Sequence, residues 1–332
     1  MSTIYITEQG AVVRRSSHHL TVTKDKERLA HIPLLKLERL VLFGHVQLTT
    51  EAIHGLLDEG VDVAFLSNNG KLRGRLVATE SKNVLLRLAQ YERHLDDAFQ
   101  LDLARILVKA KLRNGRAVIM RYARNHPEKD FDAQLKLIEQ TANNLDRLTA
   151  INSLMGAEGV ATAAYFRAFG QMFRKELTFE TRTRRPPKDP VNAVLSLGYT
   201  LLTNEILSLT MAQGFDPYIG FFHGIVYGRP SLALDLVEEF RHPLIDRMTL
   251  NLFNNEMLTS ADFRPVEGQG IYLTPAALKI YLQFYERRMR EAPAAEEAEE
   301  NPGFRLVLRR QVQRLAKTIT VQEPYLPFQL KD

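Results

Sequence analysis

The chain has 332 residues, a formal net charge of +5 and no cysteine. Disulfides, thiolate metal sites and cysteine nucleophiles are therefore excluded, and no run of ~18 apolar residues is present to span a membrane. A bound metal would sit on oxygen and imidazole donors, which favours magnesium or manganese over structural zinc. The first residues, MSTIYITEQGAVVRR, lack the charged-then-apolar pattern of a secretory leader. The expectation is a cytoplasmic protein with no membrane association.

Residues 2–78 read as strands. IYIT, AVVRR, LTVTK, LAHIPL and RLVLFG are short, rich in branched residues and separated by Gly, Asp-Lys or Ser-Ser turns. One helix interrupts them. Thr49 or Thr50 caps it, Glu51 lies in its first turn and Gly60 ends it. VDVAFLS is a nearly continuous apolar run, the pattern of a buried strand. Asn68, Asn69 and Gly70 then turn the chain back into KLRGRLVA.

From about Asn83 the period becomes helical. VLLRLAQYERHLDDAFQLDLARILVKAKLRNGRAVIMRYAR reads as one long helical pattern, followed by FDAQLKLIEQTANNLDRL and INSLMGAEGVATAAYFRAFGQMF. DPVNAVLSLGYTLLTNEILSLTMAQG predicts a helix capped by Asp189 with Pro190 as its first residue. Residues 214–243 begin as a Gly-punctuated irregular segment and end in a helix over 231–241. LTPAALKIYLQFYERRMRE is a further helix, and the acidic low-complexity stretch within 291–302 reads as solvent-exposed or disordered. FRLVLRRQVQRLAKTI predicts a basic amphipathic helix and QEPYLPFQL an extended tail. The resulting division is a β-rich domain over 1–78, a hinge over 79–84 and a helical domain over 85–332.

The charge is unevenly placed. Arg182, Arg184, Arg185 and Lys188 form one basic cluster. Arg105, Lys109, Lys111, Arg113, Arg116, Arg121 and Arg124 lie along a second stretch. Such clusters either track a phosphate backbone or cover a solvated helix face. Glu158 sits among small residues in LMGAEGVATAAYF; a carboxylate there needs either the surface or a partner, because an unpaired buried charge is costly. His223 lies in FFHG, where flanking glycine frees the backbone to aim it, although a lone histidine in such a setting is more often packed in the core or at its rim than a ligand. Asp235 and Glu238 project from one helix face, and Glu239 is the acid left for the solvated side. A loop histidine and helix carboxylates are the parts of a divalent-metal site, yet each also has an ordinary structural reading. Tyr165, two turns after Glu158, either faces the same cleft or packs in the core. Asn192 either bonds a phosphate or serves the first turn of its helix.

Several stretches, in order, carry a resemblance: LERLVLFGHVQLTTEAIHGLLDEGVDVAFLS, GAEG, DPVNAVLSLGYTLLTNEI, GFDPYIGFFHG, GRPSLALDLVEEFRHPLIDR and RRQVQRLA. Together they resemble the CRISPR-associated integrase-endonuclease of the spacer-acquisition complex. The resemblance spans nearly the whole chain. It implies an α+β multidomain fold, with a small N-terminal β-sandwich-like dimerisation domain before a larger all-α catalytic domain. It implies a metal-dependent DNA endonuclease and integrase that inserts new spacers by 3′-hydroxyl attack on a phosphodiester. Glu158, His223 and Glu238 are its implied catalytic and metal-binding residues, Asp235 is a further acidic position, and the metal is Mg²⁺ or Mn²⁺. Which of Asp235 and Glu238 binds directly stays open. Implied partners are double-stranded and branched DNA, a second copy of the chain and a small second adaptation protein. Arg182, Arg184, Arg185 and Lys188 are candidate phosphate contacts, and Tyr165 and Asn192 candidate supporting residues. Two other readings compete: a metal-free helical DNA-binding scaffold, and a hydrolase of small phosphate esters that would leave the basic clusters unexplained.

Overall fold

A computed structural model describes residues 2–78, 81–174, 177, 179–184, 186–268, 270–293 and 303–330. The acidic stretch at 294–300, hinge residues 79–80 and Arg185 lie outside the described residues. The chain divides into two compact units, Met1–Glu80 with Leu278–Leu282, and Ser81–Ala277 with Gln283–Asp332.

The first unit is built from β1 (Ser2–Ile6), β2 (Val12–Ser16), β3 (His19–Lys24), β4 (Glu27–Pro33), β5 (Leu37–Phe43), β6 (Gln47–Leu48), α1 (Thr50–Asp58), β7 (Asp62–Leu66) and β8 (Leu72–Leu76). Two four-stranded sheets result, in the orders β1-β5-β7-β8 and β4-β3-β2-β6. β5 pairs in parallel with both β1 and β7. A parallel strand flanked on both sides reads as an apolar run, and every β5 residue except Glu38 and the intermediate exposure it has is buried. The β3–β4 turn places Asp25 (φ 49°) and Lys26 (φ 66°) in the left-handed region, the two-residue geometry whose twist matches the flanking strands. Thr49 caps α1 by accepting the Ala52 N–H at 3.3 Å. Leu20, Val22, Ile32, Leu40, Leu42, Leu56 and Val63 belong to the apolar core of this unit.

The second unit contains α2 (Val84–His94), α3 (Asp97–Arg124), α4 (Asp132–Asn144), α5 (Ile151–Gln171), α6 (Pro190–Gln213), α7 (Ser231–Val237), α8 (Arg247–Asn254), β9 (Phe263–Val266), β10 (Gly270–Leu273), α9 (Pro275–Arg290, apart from Leu278–Leu282, which group with the first unit) and α10 (Phe304–Val321). α3 packs on α4 and α5, and α6 packs on α7 and α10. The long helical pattern after Asn83 is two helices: Asp96 accepts the N–H groups of Ala98 and Phe99 at 3.1 Å and starts α3 afresh. α6 begins as its sequence requires, with Asp189 accepting the Asn192 N–H at 2.8 Å and Pro190 in the first turn. The helix read over 231–241 stops earlier. α7 ends at Val237, and a π-helical turn, Arg241–Asp246, leads into α8. β9 and β10 form a hairpin that the helical reading did not include. Its strands are four residues long and one draws support from far away, Ile271 donating to the Pro187 carbonyl at 2.9 Å. Among the described residues no helix is long and apolar enough to cross a membrane.

Candidate active site

Three segments of the helical unit meet around one ammonium group. Lys111, on α3, is only 3% exposed. Its Nζ lies against Glu158 Oε1 from α5 and 2.6 Å from Glu238 Oε2 at the end of α7. Glu158 also accepts the Thr162 hydroxyl at 2.7 Å, one helical turn along. Arg241 NH1 donates to Glu238 Oε1 at 2.6 Å. Glu238 Oε2 is buried, and the Lys111 ammonium at 2.6 Å is its partner. Burial pushes the Glu238 carboxyl up, but Arg241, Lys111 and His223 outweigh it and hold the carboxyl well below the usual range. Glu158 follows the same balance: burial raises it, Lys111 lowers it, Glu238 raises it again, and the net is a lowered carboxyl. Both acids therefore remain ionised.

Beside this cluster Asp235 organises the histidine loop. Its Oδ2 accepts the N–H groups of Phe221 at 2.6 Å and Phe222 at 3.1 Å. Its Oδ1 accepts the His223 N–H and faces His223 Nδ1, both at 2.8 Å. The loop wraps so closely that a Cβ on Gly220 would come within 2.8 Å of Asp235 Oδ2 and of Ser231. With Nδ1 donating to the carboxylate, the imidazole presents the lone pair of Nε2, the arrangement in which a carboxylate fixes the tautomer of a ligating histidine. Asp235 is 1% exposed, and its oxygens are filled by this loop.

The acidic residues after α7 are not on a wet face. Glu239, read as the solvated acid, is fully buried. It accepts the Tyr325 hydroxyl, the Phe328 N–H at 2.6 Å and Gln311 Nε2 at 2.9 Å. Burial pushes its carboxyl up to about 7, against those donors. Its cover comes from the C-terminal tail, 86 residues away in the case of Tyr325, a distance over which helix periodicity carries no signal.

Tyr165 is buried and donates to Asp246 Oδ2 at 2.9 Å, while Tyr199 donates to Asp246 Oδ1 at 2.6 Å. His242 Nδ1 lies 2.6 Å from the same Asp246, and its ring packs on Tyr165 at 3.9 Å. Tyr165 thus joins a core network next to the cluster rather than the cluster itself. Asn192 is buried; its Oδ1 accepts Arg182 NH1 at 2.7 Å and the Thr183 N–H at 2.9 Å. Arg182 is turned inward, donating also to Ser196 Oγ at 3.0 Å and lying over the Tyr199 ring at 5.3 Å. Arg184 and Lys188 are exposed, and Arg185 is outside the described residues. Lys111 was legible only as one member of a basic stretch; its spacing gave no sign that it faces two acids. Among the described residues no three His, Asp or Glu side chains converge as a ready-made metal cage; the Lys111 ammonium stands between the two glutamates.

The family model for "CRISPR associated protein Cas1" matches residues 4–287. The chain belongs to the Cas1 family. A curated Cas1 relative, "CRISPR-associated endonuclease Cas1 3" of Thermus thermophilus, is 35% identical over 331 residues, covering 99% of this chain and 97% of the relative. A solved casposase bound to integration product superposes with a TM-score of 0.87 at 24% identity, covering 98% of this chain and 93% of that one. A chain of a partial Cas6-RT-Cas1–Cas2 complex aligns with a TM-score of 0.68 at 25% identity, covering 99% of this chain and 98% of that one. A β-rich unit followed by a helical one is accordingly the Cas1 architecture, and in this member Glu158, Glu238 and His223 come from α5, the end of α7 and the loop before it.

Proposed function

We propose that this Cas1-family chain is a divalent-metal-dependent DNA endonuclease and integrase that inserts spacers into a CRISPR array, with Mg²⁺ or Mn²⁺ held by Glu158, Glu238 and Nε2 of His223. The observation that carries the reading is the convergence of two ionised glutamates on one buried cation, beside a histidine oriented by a carboxylate. The donor set fits a hard ion. The Lys111 ammonium, 2.6 Å from Glu238 Oε2, marks where positive charge is favoured. Of the two acids left open, Glu238 is the direct ligand and Asp235 the residue that orients His223, since the Asp235 oxygens are taken by the loop.

When bound, the metal would polarise the scissile phosphate and offset the charge that builds on it. The protein's own part is positional. Arg241 fixes one oxygen of Glu238, Thr162 fixes Glu158, and Asp235 fixes the imidazole tautomer. In integration the 3′-hydroxyl of the incoming DNA attacks phosphorus, a new P–O bond forms and the target strand's 3′-oxygen leaves. In nuclease reactions water replaces that hydroxyl. The exposed Arg184 and Lys188 are offered as phosphate contacts, a small second adaptation protein as partner and the β-rich unit as the homodimer surface, the last to be checked by sedimentation.

The test is transfer of a short duplex into a repeat-bearing plasmid, with the small partner protein, with and without Mn²⁺. Glu158→Ala and His223→Ala are expected to abolish joining while branched DNA still binds. Joining at the parental rate by either variant would overturn the metal reading and leave a DNA-binding scaffold.

A further inference from the structure

After α10 the chain runs back, extended, over the elements that carry the site. We propose that this segment, residues 322–330, is a positioning strap: docked through Glu239 and Asn114, it sets how tightly the Glu158–Glu238 pair holds a divalent cation. The inference rests on the metal reading above.

The strap shares its anchor with a gap in the turn that follows Glu238. Pro243 has no N–H, so the carbonyl four residues earlier, that of Glu239, loses its helical donor. Asn114 supplies one, its Nδ2 donating to Glu239 O at 2.9 Å. The same Nδ2 donates to Phe328 O at 2.9 Å, and Asn114 Oδ1 accepts the Leu330 N–H at 2.9 Å. Asn114 lies one helical turn from Lys111 on α3. A single side-chain amide therefore ties together the helix of Lys111, the segment of Glu238 and the tail.

The Glu239 carboxylate is the second anchor. Two of its three donors, Tyr325 and the Phe328 N–H, belong to the strap. The Phe328 ring stacks on Phe240 at 5.0 Å, sealing the anchor from water. With the strap undocked, a buried carboxylate would keep only Gln311, and such a group is costly unless it moves to reach water. Glu238 is the next residue, so any such movement displaces the carboxylate that faces Lys111. Metal ligands are sensitive to this kind of support; loss of outer partners typically costs about 10–100-fold in metal affinity.

Isothermal titration calorimetry of the full chain with Mn²⁺ alone tests the strap without relying on catalysis. Asn114→Ala and Tyr325→Phe are expected to weaken Mn²⁺ binding about 10-fold. Phe131→Leu, a core change at the start of α4, lowers the melting temperature but leaves Mn²⁺ affinity at the parental value. Parental affinity in the two strap variants would overturn the proposal and reduce the tail to a stabilising element. Should Asn114→Ala fail to fold, Tyr325→Phe, which removes one hydroxyl, decides alone. Absence of Mn²⁺ binding by the parent would overturn the metal reading and the strap with it, an outcome distinct from strap failure.

Discussion

Lys111 is the residue on which the electrostatics of the site turn. It bridges Glu158 and Glu238, offsetting the repulsion of two facing carboxylates, while Arg241 brings a second positive charge to Glu238. Removing one partner of a buried charge pair typically costs about 3–5 kcal/mol. Lys111→Met is expected to melt well below the parent in EDTA, and Mn²⁺ is expected to raise its melting temperature by more than it raises the parent's. Calorimetric scans with and without Mn²⁺ check this; an equal metal response would show that the ammonium and the ion do not share a place. The buried acids also make opposite contributions to stability against pH. Glu239, raised to about 7 by burial, contributes stability that is complete below its unfolded pKa and is lost as pH rises through 7. Glu158 and Glu238 are lowered, so their contribution is present above the unfolded value and lost as pH falls through their folded pKa values. Melting curves of Glu239→Gln in EDTA should lose the decline between about pH 4.5 and 7; an unaltered profile would assign that decline elsewhere.

At the scale of single elements, what was legible depended on whether the signal was local. The β-strands of the first unit follow from branched runs and turn residues. α6 follows from Asp189 and Pro190, whose roles are fulfilled within four residues. The break between α2 and α3 was hidden because leucine spacing continues across it, and only the Asp96 cap marks it. Replacing that cap, Asp96→Ala, should cost about 1 kcal/mol, measurable by urea denaturation. The histidine loop shows the other limit. His223 and Asp235 were readable as candidates, but not the fact that Asp235 is spent on the loop, because that requires Phe221, Phe222 and His223 to curl around it. Gly220→Ala tests the curl. Its Cβ has no room beside Asp235, so a loss of about 1–3 kcal/mol and a fall in strand transfer larger than any change in DNA affinity are expected. Normal transfer would mean that the loop tolerates a different path.

For the whole molecule, the net charge of +5 is too small to describe the proposed contact with DNA; placement matters more. Arg184 and Lys188 point to solvent, whereas the neighbouring Arg182 is bound into the core by Asn192, Ser196 and Tyr199. Each lost phosphate contact reduces the slope of log affinity against log salt by about 0.9. Arg184→Ala and Lys188→Ala should each do so, while Arg182→Ala should leave the slope intact and lower the melting temperature. A salt titration of duplex binding separates these outcomes. The sequence pattern grouped all three as equivalent cations, since direction of projection is a property of the folded segment and not of its composition.

The π-helical turn at Arg241–Asp246 has a further consequence. An α-helix rotates by roughly 100° per residue, and the wide turn absorbs one residue more than a regular helix would, marked by the Arg247 N–H reaching back to His242 O. It therefore acts as a phase offset between two sets of side chains. Upstream, Asp235 and Glu238 are indexed to the loop and to Lys111; downstream, Asp246 is indexed to Tyr165 and Tyr199. Point substitutions leave that indexing intact. Excision of a single residue would put the two sets out of step by about a quarter of a turn, so a change of length across this stretch disturbs the site more than a change of identity.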